Sequence, residues 1–283
     1  MFWRGVNWLL RRIGYRLMPL EGPKHERVVV DAHYRGHRFR CFQGDPISNA
    51  ILTGRGWDRQ LEEILTGLEL EAGTHVIEVG ANIGASLIPI ASGFPRLTFH
   101  CIEPVPDFFE LLRQNAGSFA AENVNLYHTA IGSLEGEEVE IHVGYGTAGL
   151  SSLVYFHAEM GTLRVPSQTL DSFAADRQVA LLKIDVDGHE LNVLRGATQL
   201  LQRDRPLIFM EYSPTYMRDA GIEPAELRDL FEGAGYDRSK VWDNEGTLLA
   251  EDASWQVLEQ FAAQTHPYLD VLLQAGPLRG GAS

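Results

Sequence analysis

The 283-residue chain is 45% hydrophobic and 22% charged, enough apolar side chain for one large α/β domain with additions or two small domains, and too much for a disordered chain. A net charge of −14 argues against a general nucleic-acid binder, because this surface would repel a phosphate backbone. Only two cysteines occur, Cys41 and Cys101, neither in a CxxC pair, which argues against a disulfide scaffold or a cysteine zinc site and fits a reducing, cytoplasmic compartment.

The opening segment places Phe2, Val6, Leu9, Leu10, Ile13 and Leu17 at helical spacing with Arg4, Arg11, Arg12 and Arg16 between them. Residues 1–40 carry nine Lys/Arg against three acids, a local charge of +6 on an otherwise acidic chain. A basic amphipathic helix suits the inner face of an anionic membrane, so a peripheral contact there through residues 1–20 is one reading, the less favoured one. The same stripe would otherwise pack on the rest of the chain or on a second copy in a homo-oligomer. The scattered arginines make a poor secretory signal, and no run approaches the ~20 apolar residues that span a bilayer.

Residues 27–52 alternate around a glycine and predict short strands and turns. Beyond Gly56 the texture changes: WDRQLEEILTGL predicts a helix ending near Gly67, HVIEVG a buried strand, ASLIPIASGF a helix with Pro89 near its start, and LTFHCIEP a second strand. DFFELLRQNAGSF is a predicted helix, VNLYHTAIG a third strand, EVEIHVG an extra strand and TLDSFAAD a helical turn. VALLKIDVDG, HELNVLRGATQLLQRD, PLIFMEYS and EPAELRDLFEGAG then read as strand, helix, strand and helix, before a hairpin-like SKVWDNEGTLL. Alternating strands and helices predict a parallel sheet with helices on both faces. The expected division is an N-terminal extension (1–55), one main domain (56–275) and a flexible tail (276–283).

In such a sheet a ligand lies at the carboxyl ends of the strands, where a glycine turn allows close backbone approach and helix N–H groups point at it. EVGANIG supplies that turn, with Gly80 and Gly84 four residues apart and Asn82 between them, but it is not GxGxxG. Glu78 distinguishes among ligands, since a carboxylate there would repel a pyrophosphate yet could pair with an ammonium. Glu103 closes the next strand 25 residues later, where a carboxylate can accept both hydroxyls of a ribose. The pair favours S-adenosylmethionine over a dinucleotide. A nucleotide-dependent oxidoreductase and a cofactor-binding module without turnover are the rival readings.

With VIEVGANIG, CIEPVPDFFELLRQN, TAIGS, SQTLDSF, LLKIDVDGHELNVLRGA and PLIFMEY in this order, the chain resembles the FkbM-type S-adenosylmethionine-dependent methyltransferases over roughly residues 56–250. The resemblance implies a Rossmann-like class I methyltransferase fold, a mostly parallel seven-stranded sheet with helices on both faces and the last strand antiparallel. It also implies methyl transfer to a hydroxyl, often on a sugar, glycolipid or other small-molecule acceptor. Glu78, Gly80, Asn82, Gly84, Glu103 and Ala130 are the expected cofactor residues. Glu78 stands where the family often has Asp, and Asp187 where Glu is commoner.

Methyl transfer from a sulfonium is largely a matter of placing the acceptor oxygen, and an alcohol needs a base within hydrogen-bond reach. KIDVDGHE offers Asp185, Asp187, His189 and Glu190 at the end of the fourth strand. Asp185 or His189 would take the proton, His189 because an unperturbed imidazole titrates near neutrality. Asp185 and Asp187 would share one face if the strand persisted that far. Alternatively Asp185, Asp187 and Glu211 would hold Mg²⁺, the less favoured reading. The structural readings stand beside these: Asp187-Gly188 as the turn into the next helix, Lys183 as an ion pair, and Glu211 as the end of a strand.

Overall fold

The computed structural model describes residues 28–143, 148–149, 161–264 and 268–276. The amphipathic segment expected at 1–20 and all but the first residue of the GPLRGGAS tail lie outside the described residues.

β1 (Val29–Tyr34) and β2 (His37–Phe42) form an antiparallel hairpin. Where further strands and turns were expected, the chain forms α1 (Pro46–Leu52): Pro46 opens the helix and the Asp45 carboxylate accepts the Ser48 N–H at 3.0 Å. α2 (Gln60–Thr66) ends at Gly67, as its pattern predicts. β3 (His75–Val79), α3 (Ile88–Ala91), β4 (Thr98–Ile102), α4 (Pro106–Phe119) and β5 (Val124–Tyr127) follow. The helix expected across ASLIPIASGF shrinks to the single turn of α3, because the glycine turn extends through residue 84 and Ser86 is tied by its hydroxyl to Asp58 at 2.6 Å.

The expected third strand is interrupted at residues 128–129. Its end becomes β6 (Ala130–Ile131), which joins β7 (Glu138–Val143), β8 (Ala148–Gly149) and β9 (Gly161–Gln168) in a separate sheet of order β6-β9-β7-β8. After α5 (Leu170–Phe173), β10 runs only from Val179 to Ile184. The long helix expected next is two, α6 (Glu190–Arg195) and α7 (Thr198–Arg203). It breaks at Gly196, where a Cβ would collide with the Gly132 carbonyl oxygen, and Asp171 accepts the N–H of Leu200 (2.8 Å) to restart it. β11 (Leu207–Tyr212), α8 (Pro214–Asp219), α9 (Pro224–Gly233), the hairpin β12 (Tyr236–Trp242) and β13 (Leu248–Ala253), α10 (Trp255–Gln264) and β14 (Leu269–Ala275) complete the described chain.

The main sheet has the order β13-β12-β14-β11-β10-β3-β4-β5. β14 lies antiparallel between β11 and β12, and β13 adds an eighth strand at the edge of the expected seven. The chain leaves β3 toward β4 and β5 and later returns through β10 and β11 on the other side. The order therefore reverses between β3 and β10, and a crevice opens outside their carboxyl ends.

Because strand side chains alternate, two cores form. Ile77, Val79, Leu182, Ile184, Ile208 and Met210 face one way, with Leu191, Leu194, Leu227 and Phe231 packed over them. Val76, Phe99, Leu181 and Phe209 face the other, against Phe39, Ile51, Leu61 and Leu112. Glu78, Lys183 and Glu211 share the parity of this second set, so the charged side chains emerge at the carboxyl end of the face covered by the N-terminal hairpin and α2.

Candidate active site

Gly80 turns the chain sharply at φ +87°, and a Cβ there would collide with the carbonyl oxygen of Asp185. No other residue type would let the turn after β3 pack this closely against the end of β10. At Gly84 (φ +83°) a Cβ would lie 2.5 Å from Ile88 and 2.7 Å from Leu112, which closes the turn against α3 and α4. Asn82 between them is left-handed at φ +50°. Its N–H donates to Glu103 Oε2 at 2.8 Å, and the N–H of Val105 donates to Glu103 Oε1 at 2.8 Å. Glu103, 4% exposed, thus clamps two loops, and burial pushes its carboxyl up to about 7 against the pull of those two donors. A ribose diol would meet only the remaining lone pairs of this carboxylate.

Glu78 is placed differently from the sequence expectation. It is 0% exposed, and the cation beside it is internal: Lys183 Nζ lies 3.2 Å from Glu78 Oε1, across the paired strands β3 and β10. The same ammonium lies 3.1 Å from Asp58 Oδ2 and 3.2 Å from Asp185 Oδ2. Burial alone would push Lys183 down, but the three carboxylates outweigh it and hold the ammonium well above the usual lysine range. Burial pushes Glu78 up, with Lys183 opposing and Asp58 reinforcing. The structural reading of Lys183 as an ion pair therefore holds, and the pair sits directly beneath the turn.

Asp185 and Asp187 do not share a strand face, because β10 ends at Ile184. Asp187 (φ +50°) and Gly188 (φ +98°) form a turn instead, with Glu190 Oε1 accepting the N–H groups of Val186 (3.3 Å) and Gly188 (3.1 Å). Burial pushes Glu190 up to about 7 and raises Asp187 well above the usual range, with Asp185 and Glu190 adding to the rise in Asp187. His189 stands at the N-cap position of α6 without a side-chain capping bond, its Nδ1 3.2 Å from the side-chain amide nitrogen of Asn192, and burial pulls it down to about 4. An imidazole held that low is neutral at pH 7 but a weak base, so the near-neutral titration expected of His189 is absent. Ala130 is buried in β6, two residues beyond His128, whose ring stacks on Phe109 at 4.7 Å and whose Nε2 lies 3.1 Å from the Pro104 carbonyl oxygen.

Asp185, 27% exposed, lines a cavity of about 250 Å³ with Glu211, Asp270, Trp57 and Trp242. Glu211 and Asp270 are register partners on β11 and β14. Burial, with Asp185 and neighbouring acids adding to it, raises both well above the usual carboxylate range. Gln60 donates to Asp270 Oδ2 at 3.2 Å. Among the described residues no group of three or more His, Cys, Asp or Glu side chains is placed to hold a metal ion, and of Asp185, Asp187 and Glu211 it is Asp185 that pairs with Lys183. Asp58, Asp270, Trp57 and Trp242 were missed by sequence reasoning, since Asp270 reaches the site from the last strand, 210 residues from its partner Gln60.

Asn82 Oδ1 is buried without a hydrogen-bond donor, an acceptor that a donor on a ligand in the turn would satisfy. S-adenosylmethionine carries such donors in its ammonium and ribose hydroxyls, so the residues of the turn fit it.

A doubly wound sheet reversing at β3 and β10, with an acid-flanked glycine turn at the reversal, defines a Rossmann-like fold with its cofactor crevice at that turn. The methyltransferase FkbM domain matches residues 78–238, more than half of the chain, and the chain belongs to that S-adenosylmethionine-dependent methyltransferase family. No curated protein sequence matches it. Solved structures similar to it include the methyltransferase FkbM of Methylobacillus flagellatus KT, 14% identical over 74% of this chain and 45% of that one, with a TM-score of 0.46; this chain thus spans less than half of that protein. A SAM-dependent O-methyltransferase of Thermotoga maritima is 11% identical over 91% and 80% of the two chains, with a TM-score of 0.44. TYW2 of M. jannaschii, in complex with AdoMet, is 12% identical over 91% and 88%, with a TM-score of 0.41. Among the described residues no helix is long and apolar enough to cross a membrane.

Proposed function

We propose that the chain is an O-methyltransferase acting on a hydroxyl of a sugar, glycolipid or other small-molecule acceptor, with Asp185 as its base. One observation carries this reading: the Asp185 backbone forms the wall against which Gly80 turns, and the same residue lines the 250 Å³ cavity. A single residue thereby borders both the cofactor turn and a polar space of suitable size for a hydroxylated group.

S-adenosylmethionine held at the turn supplies the electrophilic methyl group. Asn82 offers its free acceptor to the cofactor, and Glu103 keeps the turn in shape through Asn82 and Val105. Lys183 fixes the Asp185 carboxylate at one oxygen, Oδ2, so that the acceptor proton passes to Asp185 as the oxygen is methylated. Glu211 and Asp270 accept hydroxyls of the acceptor and orient it. Family membership supports this reading over the nucleotide-dependent oxidoreductase.

The test is transfer of labelled methyl from S-adenosylmethionine to a panel of hydroxylated sugars and glycolipids, matched with analogues in which single hydroxyls are replaced by hydrogen. Label that depends on one particular hydroxyl is expected. Label on nitrogen or carbon, or none across the panel by protein that binds the cofactor, would count against it.

A further inference from the structure

The sheet face that carries Glu211 and Asp270 continues beyond them as a groove of about 620 Å³. Side chains repeat every second residue along a strand, so Leu207 shares the face of Glu211 on β11 and Leu272 that of Asp270 on β14. Leu207 and Glu211 are four residues apart, about 13 Å along the strand. Ile64 and Leu68, on and just after α2, face these leucines across the groove. All four aliphatic side chains are only half-buried, while Glu63, Glu69 and Glu71 on the same groove are exposed. Gln60, Glu63 and Trp242 line both the groove and the Asp185 cavity, so the two spaces adjoin.

We infer that this groove holds the aliphatic chain of an amphipathic acceptor whose hydroxylated head occupies the Asp185 cavity, an inference that rests on the acceptor reading above. A purely polar acceptor needs the cavity alone and leaves the outer parts of these four side chains, three of which pack inward against the core, in water. One molecule with a polar head and an apolar chain matches both spaces, in the order in which Trp242 joins them, and gains from each methylene it withdraws from water.

The full-length protein, with S-adenosylhomocysteine present, is titrated with methyl, hexyl and octyl β-glucosides below their micelle concentrations. Affinity is expected to rise with chain length, by up to about fourfold per methylene. Leu68→Asp, and Leu68→Trp, which fills the groove without adding charge, are expected to flatten the series while leaving the affinity for S-adenosylhomocysteine within twofold. Equal affinity across the series, or no binding by any member, overturns the inference whether or not the cofactor product binds. Chain-length dependence that survives both substitutions overturns it too, because the chain then binds elsewhere. Dependence that emerges only in Leu9→Glu/Leu10→Glu protein assigns the groove to residues 1–20 and likewise overturns it. Absence of S-adenosylhomocysteine binding is a failure of the methyltransferase reading itself and is read from a separate titration.

Discussion

Lys183 Nζ lies 3.2 Å from Asp185 Oδ2, two residues further along the chain, and shares its charge with Glu78 and Asp58. One buried ammonium thus ties the strand beneath the cofactor turn, the segment before α2 and the proposed base into a single cluster. Removing one partner from a buried ion cluster leaves the others uncompensated. Lys183→Met is expected to lower folding stability by about 3–5 kcal/mol, measured by chemical denaturation. An unchanged midpoint would mean that the three carboxylates are solvated in the folded protein.

Gly80→Ala introduces a Cβ where the Asp185 carbonyl oxygen lies, at a φ of +87°. A loss of about 1–3 kcal/mol is expected from the backbone conformation. S-adenosylhomocysteine affinity should fall with it, because the turn and the end of β10 cannot keep their present spacing. A thermal melt and a calorimetric titration check the two effects separately.

Asp185 and His189, the two bases the sequence offers, separate by substitution. Asp185→Asn is expected to lower methyl transfer by about 10²-fold or more while the variant still binds S-adenosylhomocysteine. His189→Asn should cost less than tenfold, since an imidazole pulled down to about 4 makes a poor base at pH 7. The reverse order, in single-turnover assays at pH 7, would move the role to His189.

Asp270 carries a pH signature. Its folded-state carboxyl is raised well above the ordinary value, first by burial and then by Asp58 and Asp185. The folded state therefore binds more protons than the unfolded state between those two values, so this contribution to stability is full below the unfolded-state value and is lost as pH rises through the folded-state one. Asp270→Asn, which keeps an acceptor for Gln60, should melt at a higher temperature than the parent at pH 8, with the gap narrowing as pH falls toward 4. A gap independent of pH would show that Asp270 titrates normally.

The sequence pattern made the parallel sheet, the glycine turn and Glu103 legible because these rest on local signals: apolar strands, paired glycines and an acid at a strand end. It was less informative wherever distant backbones meet. The short β10 follows from the Asp187-Gly188 turn held by Glu190, and the break at Gly196 from a close pass by Gly132, neither of which leaves a periodic trace. The ion pair of Glu78 with Lys183 left no trace in the sequence for a similar reason, since a lysine 105 residues away becomes its neighbour only once β3 pairs with β10. Asp58 and Asp270 lie outside every recognisable motif and reach the cavity from the two ends of the described chain.

Calorimetric titration of S-adenosylhomocysteine, with NAD in parallel, tests the central claim most directly. The account predicts one site per chain for S-adenosylhomocysteine, at least tenfold weaker in Glu103→Ala, which leaves the Asn82 and Val105 N–H groups without their acceptor, and no measurable heat with NAD. Folded protein that binds NAD but not S-adenosylhomocysteine, or that binds it equally well after Glu103→Ala, would contradict the placement of a methyl donor at this turn.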